Sequence, residues 1–259
     1  MEKKVAVVTG ASGGIGAELC KKLGANGWCV VLAARRREEL ENVAAQSGTQ
    51  TRVVVTDVTR RAEVNRLKDE ALKVFGHIDV WVNNAGRGIG RKVLELTDAD
   101  FDEMMSVNVK SALYGMQAVV PCFQEQGTGH LINISSFLGR IPFVSQRSAY
   151  NAAKSALNSL TANLRNDLRQ SSPGVHVSLV MPGLVLTDFG NNALHATPPQ
   201  VPAGGSGRMQ PQTPQDVADI LMELIRNPKP EIYTNPSSAE SAKAYYSDVA
   251  AFEERMLRG

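Results

Sequence analysis

The chain has 259 residues, 43% hydrophobic and 21% charged, which suits one large α/β domain with a sizeable core. A net charge of +2 gives no electrostatic case for nucleic acid or an anionic membrane surface as partner. No apolar run reaches the roughly 18 residues of a transmembrane helix, so no membrane span is expected.

In chain order, Val/Ile/Leu-rich runs alternate with helical patterns. Strands are expected over residues 4–9, 29–33, 52–56, 79–83, 129–134 and 175–181, with a short one over 231–234. Helices are expected over 14–25, 37–46, 61–75, 100–126 and 148–170. Nearly continuous apolar strands point to a sheet covered on both faces, so the expected fold is α/β, a single Rossmann-type doubly wound domain. Its mostly parallel sheet has about seven strands. Residues 191–214 carry Pro198, Pro199, Pro202, Gly204, Gly205 and Gly207 and read as a substrate loop or lid. Residues 237–259 read as a helical extension to a domain spanning 1–236. The apolar run Val5 to Val8 is too short for a secretory signal. Cys20, Cys29 and Cys122 are an odd, widely spaced set that suits reduced thiols, so a cytoplasmic protein is expected. No cysteine or histidine pair has zinc-ligand spacing, and no metal is expected.

The first strand runs into Thr9-Gly10-Ala11-Ser12-Gly13-Gly14-Ile15-Gly16 and then a helix. Glycines admit a pyrophosphate close to the backbone, and the helix N-terminus offers free N–H groups and a favourable dipole. The spacing is not G-x-G-x-x-G, and a ligand-free glycine turn is the plain alternative. After the second strand come Ala34, Arg35, Arg36 and Arg37. NAD-binding Rossmann proteins carry an acidic residue here for the ribose hydroxyls; a guanidinium suits a 2′-phosphate, so NADP(H) is the expected cofactor. Arg35 is the main candidate and Arg36 its helper, against the alternative of a solvated face. Asp57, after the third strand, can accept from the adenine amino group, or simply cap a helix.

Tyr150 and Lys154 lie four apart in a helical pattern and share a face. A nearby ammonium lowers a phenol's pKa, and such a tyrosine can donate a proton to a ketone oxygen or take one from an alcohol. Ser135 and Ser136 end a central strand, where open parallel sheets bind ligands.

With these motifs in order, the chain resembles the short-chain dehydrogenase/reductase family, in its short single-domain branch. The resemblance rests on Thr9–Gly16, Asn83-Asn84-Ala85-Gly86, Asn108 between Val107 and Val109, Ser136, Tyr150 with Lys154, and Pro182-Gly183-Leu184-Val185-Leu186-Thr187. It covers residues 4 to 190. It implies reversible hydride transfer between NADP(H) and a carbonyl or secondary alcohol, with Tyr150 as general acid/base. Lys154 would hold the nicotinamide ribose and lower the tyrosine pKa, Ser136 orient the substrate oxygen, and Asn108 hold a water that links Lys154 to solvent. Gly10, Ser12, Gly13, Gly14, Ile15, Gly16, Asp57, Val58, Asn84, Ala85, Gly86, Pro182, Gly183, Val185 and Thr187 would contact the cofactor. The resemblance also implies a homo-oligomer, dimer or tetramer, and a ketone-reductase type of activity on a small molecule.

Asn83 and Ser135 are read as structural neighbours, and the four histidines as structural or solvated. Gly13 stands where many NADPH users carry a basic residue, and the chain continues past the short strand on which many relatives close. Two other functions are weighed. A sugar-nucleotide epimerase needs more chain after Gly190 than is present. A non-catalytic NADP-binding sensor has no need of all four of Asn108, Ser136, Tyr150 and Lys154. The substrate is not legible; Phe137, Leu138, Ile141 and Phe143 favour an apolar part, and Arg87, Arg91 and Arg140 are either anion contacts or surface charges.

Overall fold

The computed structural model describes residues 3–196 and 210–258. Seven strands form one all-parallel sheet in the order β3-β2-β1-β4-β5-β6-β7. They are β1 (Val5–Thr9), β2 (Cys29–Ala34), β3 (Thr51–Val55), β4 (Val80–Asn83), β5 (Gly129–Ile134), β6 (Val175–Met181) and β7 (Glu231–Tyr233). The order reverses between β1 and β4, which opens a crevice at the strands' carboxyl ends.

Side chains alternate across the sheet and feed two cores. Ala6, Val8, Val30, Leu32, Val80 and Val82 meet Leu19, Leu23, Val217 and Leu221, on helices α1 (Gly14–Ala25) and α7 (Pro214–Arg226); α2 (Arg37–Ala45) joins this layer through Leu40. On the opposite face Val7, Val31, Trp81, Leu131 and Val177 meet Leu67, Phe123 and Leu157. These come from α3 (Arg61–Phe75), α5 (Ser111–Gln126) and α6 (Ser148–Ser171). Burying both faces explains why the strand sequences are apolar without alternation.

Most expected boundaries hold to within a residue, with three differences. The single helix expected over 100–126 starts earlier, as α4 (Asp98–Met105), because Thr97 and Asp100 form a reciprocal capping box. It is then separated from α5 by a π turn, Ser106–Lys110. There Asn108 Nδ2 donates to Met104 O at 3.1 Å, competing for the carbonyl that an α-helical N–H would take.

Helix α7 was hidden by the Pro/Gly signals before it. Its start is nonetheless written in sequence: Thr213 caps Asp216 N, Asp216 returns the bond, and Pro214 stands in the first turn. The expected tail helix is two, α8 (Ser238–Ser247) and α9 (Val249–Arg258). The break falls at Asp248, whose carboxylate accepts from Ala251 N at 2.9 Å and opens the second helix. Ala242 and Phe252 from this tail pack on Phe137 and Ile141. Of the expected loop over 191–214, residues 197–209, with all six named Pro and Gly, lie outside the described residues. No described helix is long and apolar enough to cross a membrane.

Candidate active site

The crevice has a backbone-built end and a side-chain-built end. At the first, Gly10 and Gly14 take left-handed conformations (φ 65° and 55°) that bend the chain from β1 into α1. A Cβ on Gly16 would lie 2.5 Å from both Asn84 Nδ2 and Gly10 O, so this position admits only hydrogen. Asn84 Nδ2 donates to Thr9 O at 3.0 Å and Gly10 O at 3.2 Å, and Thr9 Oγ1 accepts from Asn84 N and Ala85 N. The Asn84–Gly86 turn therefore braces the glycine turn from the neighbouring strand.

Helix α1 has no side-chain cap and no acidic residue in its first turn. Its first amides and dipole are thus available to an anion, and a Cβ on Gly13 would meet nothing nearer than Arg36 Nη2 at 3.5 Å. These features fit the pyrophosphate of a dinucleotide. Thr187 closes the turn from above, its Cγ2 3.2 Å from the Cβ position of Gly14. Gly14, Leu186, Thr187, Asp188 and Pro214 line an open cavity of about 450 Å³ there. Pro182 O accepts from Phe137 N at 2.8 Å, and Val185 bridges to Gln212. This ties the segment carrying Gly183 to both the β5 end and the start of α7.

Arg36 reaches back over the glycine turn, its Nη2 donating to Ser12 Oγ at 3.0 Å. Arg35 is exposed and lies beside Asp57, whose carboxyl it helps to lower. Burial pushes that carboxyl up; hydrogen bonds from Thr59 and the charges of Arg35 and Arg60 outweigh it. Asp57 Oδ1 accepts from Thr59 N and Oγ1 in an Asx turn, so the residue has a local structural job. Val58, next to it, is buried under α3.

At the other end, Asn108, Ser136, Tyr150 and Lys154 come from the π turn, the β5 end and α6, and all are buried. Gly86 leaves room beside two of them: a Cβ there would lie 2.9 Å from Asn108 Oδ1, 3.5 Å from Lys154 Nζ and 4.0 Å from Phe189 Cε2. The two serines separate by direction. Ser135 Oγ donates to Asn158 Oδ1 at 2.5 Å, with Lys154 O at 3.3 Å, and is used up in the core. Ser136 Oγ accepts from Leu138 N at 3.1 Å and shares a hydrogen bond with Tyr150.

Burial raises the Tyr150 phenol to about 12, against the Ser136 hydrogen bond and the Arg147 charge that pull it down. Burial also lowers Lys154 to about 7. Lys154 is not among the groups that pull the tyrosine down here. Both groups are desolvated together, so each is pushed towards its neutral form. Lys154 Nζ lies 5.7 Å from the Tyr150 ring centroid and donates to Ile134 O at 2.9 Å.

Asn108 is held rather than free: Nδ2 donates to Arg87 O at 2.9 Å and Oδ1 accepts from Arg87 N at 3.2 Å. Asn83 is structural, bonding Trp81 Nε1, Ala112 O and Asn133 Oδ1. Arg87, Arg91 and Arg140 pair with Glu103, Asp100 and Glu231. His195 Nε2 lies 2.8 Å from Asp100 Oδ1 and ties the first residues of the expected loop to α4. Sequence reading missed Phe189, which meets Tyr150 edge-on at 5.5 Å, and Arg147. Each stands within three residues of a motif already singled out, Thr187 and Tyr150, which was the available signal. Among the described residues no group of three His, Cys, Asp or Glu is placed to hold a metal ion.

A family model described as short chain dehydrogenase matches residues 4–197. An uncharacterized oxidoreductase of Staphylococcus aureus is 37% identical over 227 residues, covering 87% of this chain and 92% of that protein. Among solved structures, a short chain dehydrogenase/reductase from Burkholderia phymatum in complex with NAD superposes with a TM-score of 0.85 at 28% identity, covering 96% and 95% of the two chains. An alcohol dehydrogenase from the archaeon Thermococcus sibiricus, complexed with 5-hydroxy-NADP, gives 0.77 at 26%, covering 90% and 96%. The chain is an oxidoreductase that belongs to the short-chain dehydrogenase/reductase family.

Proposed function

We propose that the protein is an NADP(H)-dependent oxidoreductase acting on a carbonyl or secondary alcohol, with Tyr150 as general acid/base. The observation that carries this reading is the convergence of four buried side chains at the β5 end of the sheet: Asn108 and Lys154 face Gly86, Lys154 Nζ lies 5.7 Å from the Tyr150 ring, and Ser136 bonds Tyr150. A nicotinamide cofactor held there would provide the hydride for the carbonyl carbon, or take one from the carbinol carbon. Tyr150 gives its phenol proton to the carbonyl oxygen, and in reverse takes the alcohol proton. Ser136 holds that oxygen by its hydroxyl. Lys154, anchored on Ile134 O, offers its remaining donors to the ribose, and Asn108 shapes the wall behind it through Arg87. Burial keeps the unliganded Tyr150 phenol protonated, the form that donates to a carbonyl oxygen.

NADP(H) is favoured by Arg36, whose guanidinium sits on Ser12 at the glycine turn, and by Arg35 beside it. Charge and paired donors suit a 2′-phosphate, and the three residues directly after β2 are arginines rather than an acid for the ribose hydroxyls. The same reading takes 1–236 as the catalytic domain and 237–259 as a helical extension. The packing of Ala242 and Phe252 on Phe137 and Ile141, just after Ser136, supports a role for the extension in shaping the pocket wall.

The test is Tyr150→Phe, assayed by NADPH absorbance with a panel of ketones and aldehydes. Turnover falls about 10²–10⁴-fold while NADPH still binds in a fluorescence titration. Turnover equal to the parent enzyme's sinks the mechanism.

A further inference from the structure

Four arginines stand around the Tyr150 end of the crevice. Three are neutralised: Arg87 by Glu103 at 3.4 Å, Arg91 by Asp100 at 2.9 Å and Arg140 by Glu231 at 2.6 Å. Arg147 is not. It is half-buried and, among the described residues, pairs with no carboxylate. Among the described residues its guanidinium donates to a neutral backbone carbonyl, Ile89 O, from Nη1 at 3.2 Å.

The guanidinium borders the Tyr150 end of the crevice. A Cβ on Gly88 would come within 2.7 Å of Arg147 Nη1 and 3.0 Å of Phe189 Cε1, so Gly88 leaves room for both. Nη2 is 3.8 Å from the Cβ position of Gly190. Phe189 in turn touches the Tyr150 ring, and the Arg147 charge is felt by the Tyr150 phenol. A half-buried guanidinium with only a backbone carbonyl keeps most of its desolvation cost unanswered. Its planar fork matches a carboxylate through two parallel hydrogen bonds.

We infer that Arg147 is a substrate-recognition residue and that the substrate is a short oxo acid, or the matching hydroxy acid, whose carboxylate it receives beside Tyr150. This rests on the carbonyl-reductase reading of the site and narrows its substrate class. Phe189 and Ala193, which border Gly88 together with Arg147, supply the apolar contact for a short chain. Recognition adds no new chemical step.

The experiment compares 2-oxo and 3-oxo acids with their methyl esters in wild type, Arg147→Met and Arg147→Lys. Wild type favours an acid over its ester by at least about tenfold in kcat/KM, the size of a charged hydrogen-bond pair. Arg147→Met brings that ratio to about one, through KM more than kcat, and Arg147→Lys recovers part of it. A merely structural arginine would lower acid and ester alike; that result, or a wild type indifferent to the charge, overturns the inference. Should Arg147→Met fail to fold, Gly88→Ala displaces the guanidinium without removing it and must lower the same ratio. Calorimetric titration of the hydroxy acids into cofactor-saturated protein reads recognition without turnover. Charge-dependent binding lost in Arg147→Met, together with full activity in Tyr150→Phe, leaves the inference standing and removes the Tyr150 mechanism.

Discussion

The glycine turn is made from the backbone of one contiguous segment, residues 10–16, whereas the Tyr150 cluster is made from side chains delivered by separate elements. At the turn, geometry is set by missing atoms: Gly16 has no Cβ because Gly10 O and Asn84 Nδ2 occupy that space. At the cluster, geometry is set by directed polar bonds, such as Lys154 to Ile134 O and Asn108 to Arg87 O. Adding an atom should therefore damage the first region, and removing one should damage the second.

The sharpest contrast lies within the second region, between two adjacent serines. Ser136→Ala removes a donor from the reacting oxygen and should lower kcat/KM about 10²-fold with little change in melting temperature. Ser135→Ala leaves Asn158 Oδ1 short of a donor and should cost about 1 kcal/mol of stability, read by thermal melting, with kcat retained. Reversed outcomes would exchange the two assignments.

At the turn, Gly16→Ala forces a Cβ against backbone and should cost about 1–3 kcal/mol, together with weakened NADPH binding in a fluorescence titration. A variant that melts and binds like the parent would break the contrast between the regions.

Lys154 offers a test through pH. Its folded pKa is about 7 against an unfolded value near 10.5, so between these limits the unfolded chain holds more protons. Stability of the cofactor-free protein should rise with pH across this window, by up to about 1.4 kcal/mol per pH unit from this group. Lys154→Met should flatten that slope in urea titrations at pH 7 to 9.5; an unchanged slope would show that another group carries it.

The smallest expected effect is at the exposed rim. Arg36→Ala should lower kcat/KM with NADPH about tenfold and leave that with NADH nearly unchanged. Equal efficiency of the parent with both cofactors would refute the NADP(H) assignment itself.

The contrast also explains what was legible. A turn built from neighbouring residues is written in neighbouring letters, so Gly10, Gly13, Gly14 and Gly16 could be read directly. Asn108, Ser136, Tyr150 and Lys154 became legible only through their order along the chain, since four scattered polar residues have no local signature. Arg147 and Phe189 carry no such pattern and were missed. Arg140 and Glu231 are 91 residues apart, and no reading of either segment alone reveals their pairing.

By itself, the sequence determined the alternation of seven strands with helices, the glycine turn and the family motifs, because hydrophobic period and backbone permissiveness are local properties. The tertiary structure supplied the reason for reading the two serines apart: Ser135 donates into the core at Asn158 on α6, while Ser136 bonds Tyr150. It also decided that Tyr150 and Lys154 are both pushed towards their neutral forms, and that one arginine of four lacks a carboxylate among the described residues. Burial and ion pairing depend on what the rest of the chain brings alongside, and that exists only once the chain has folded.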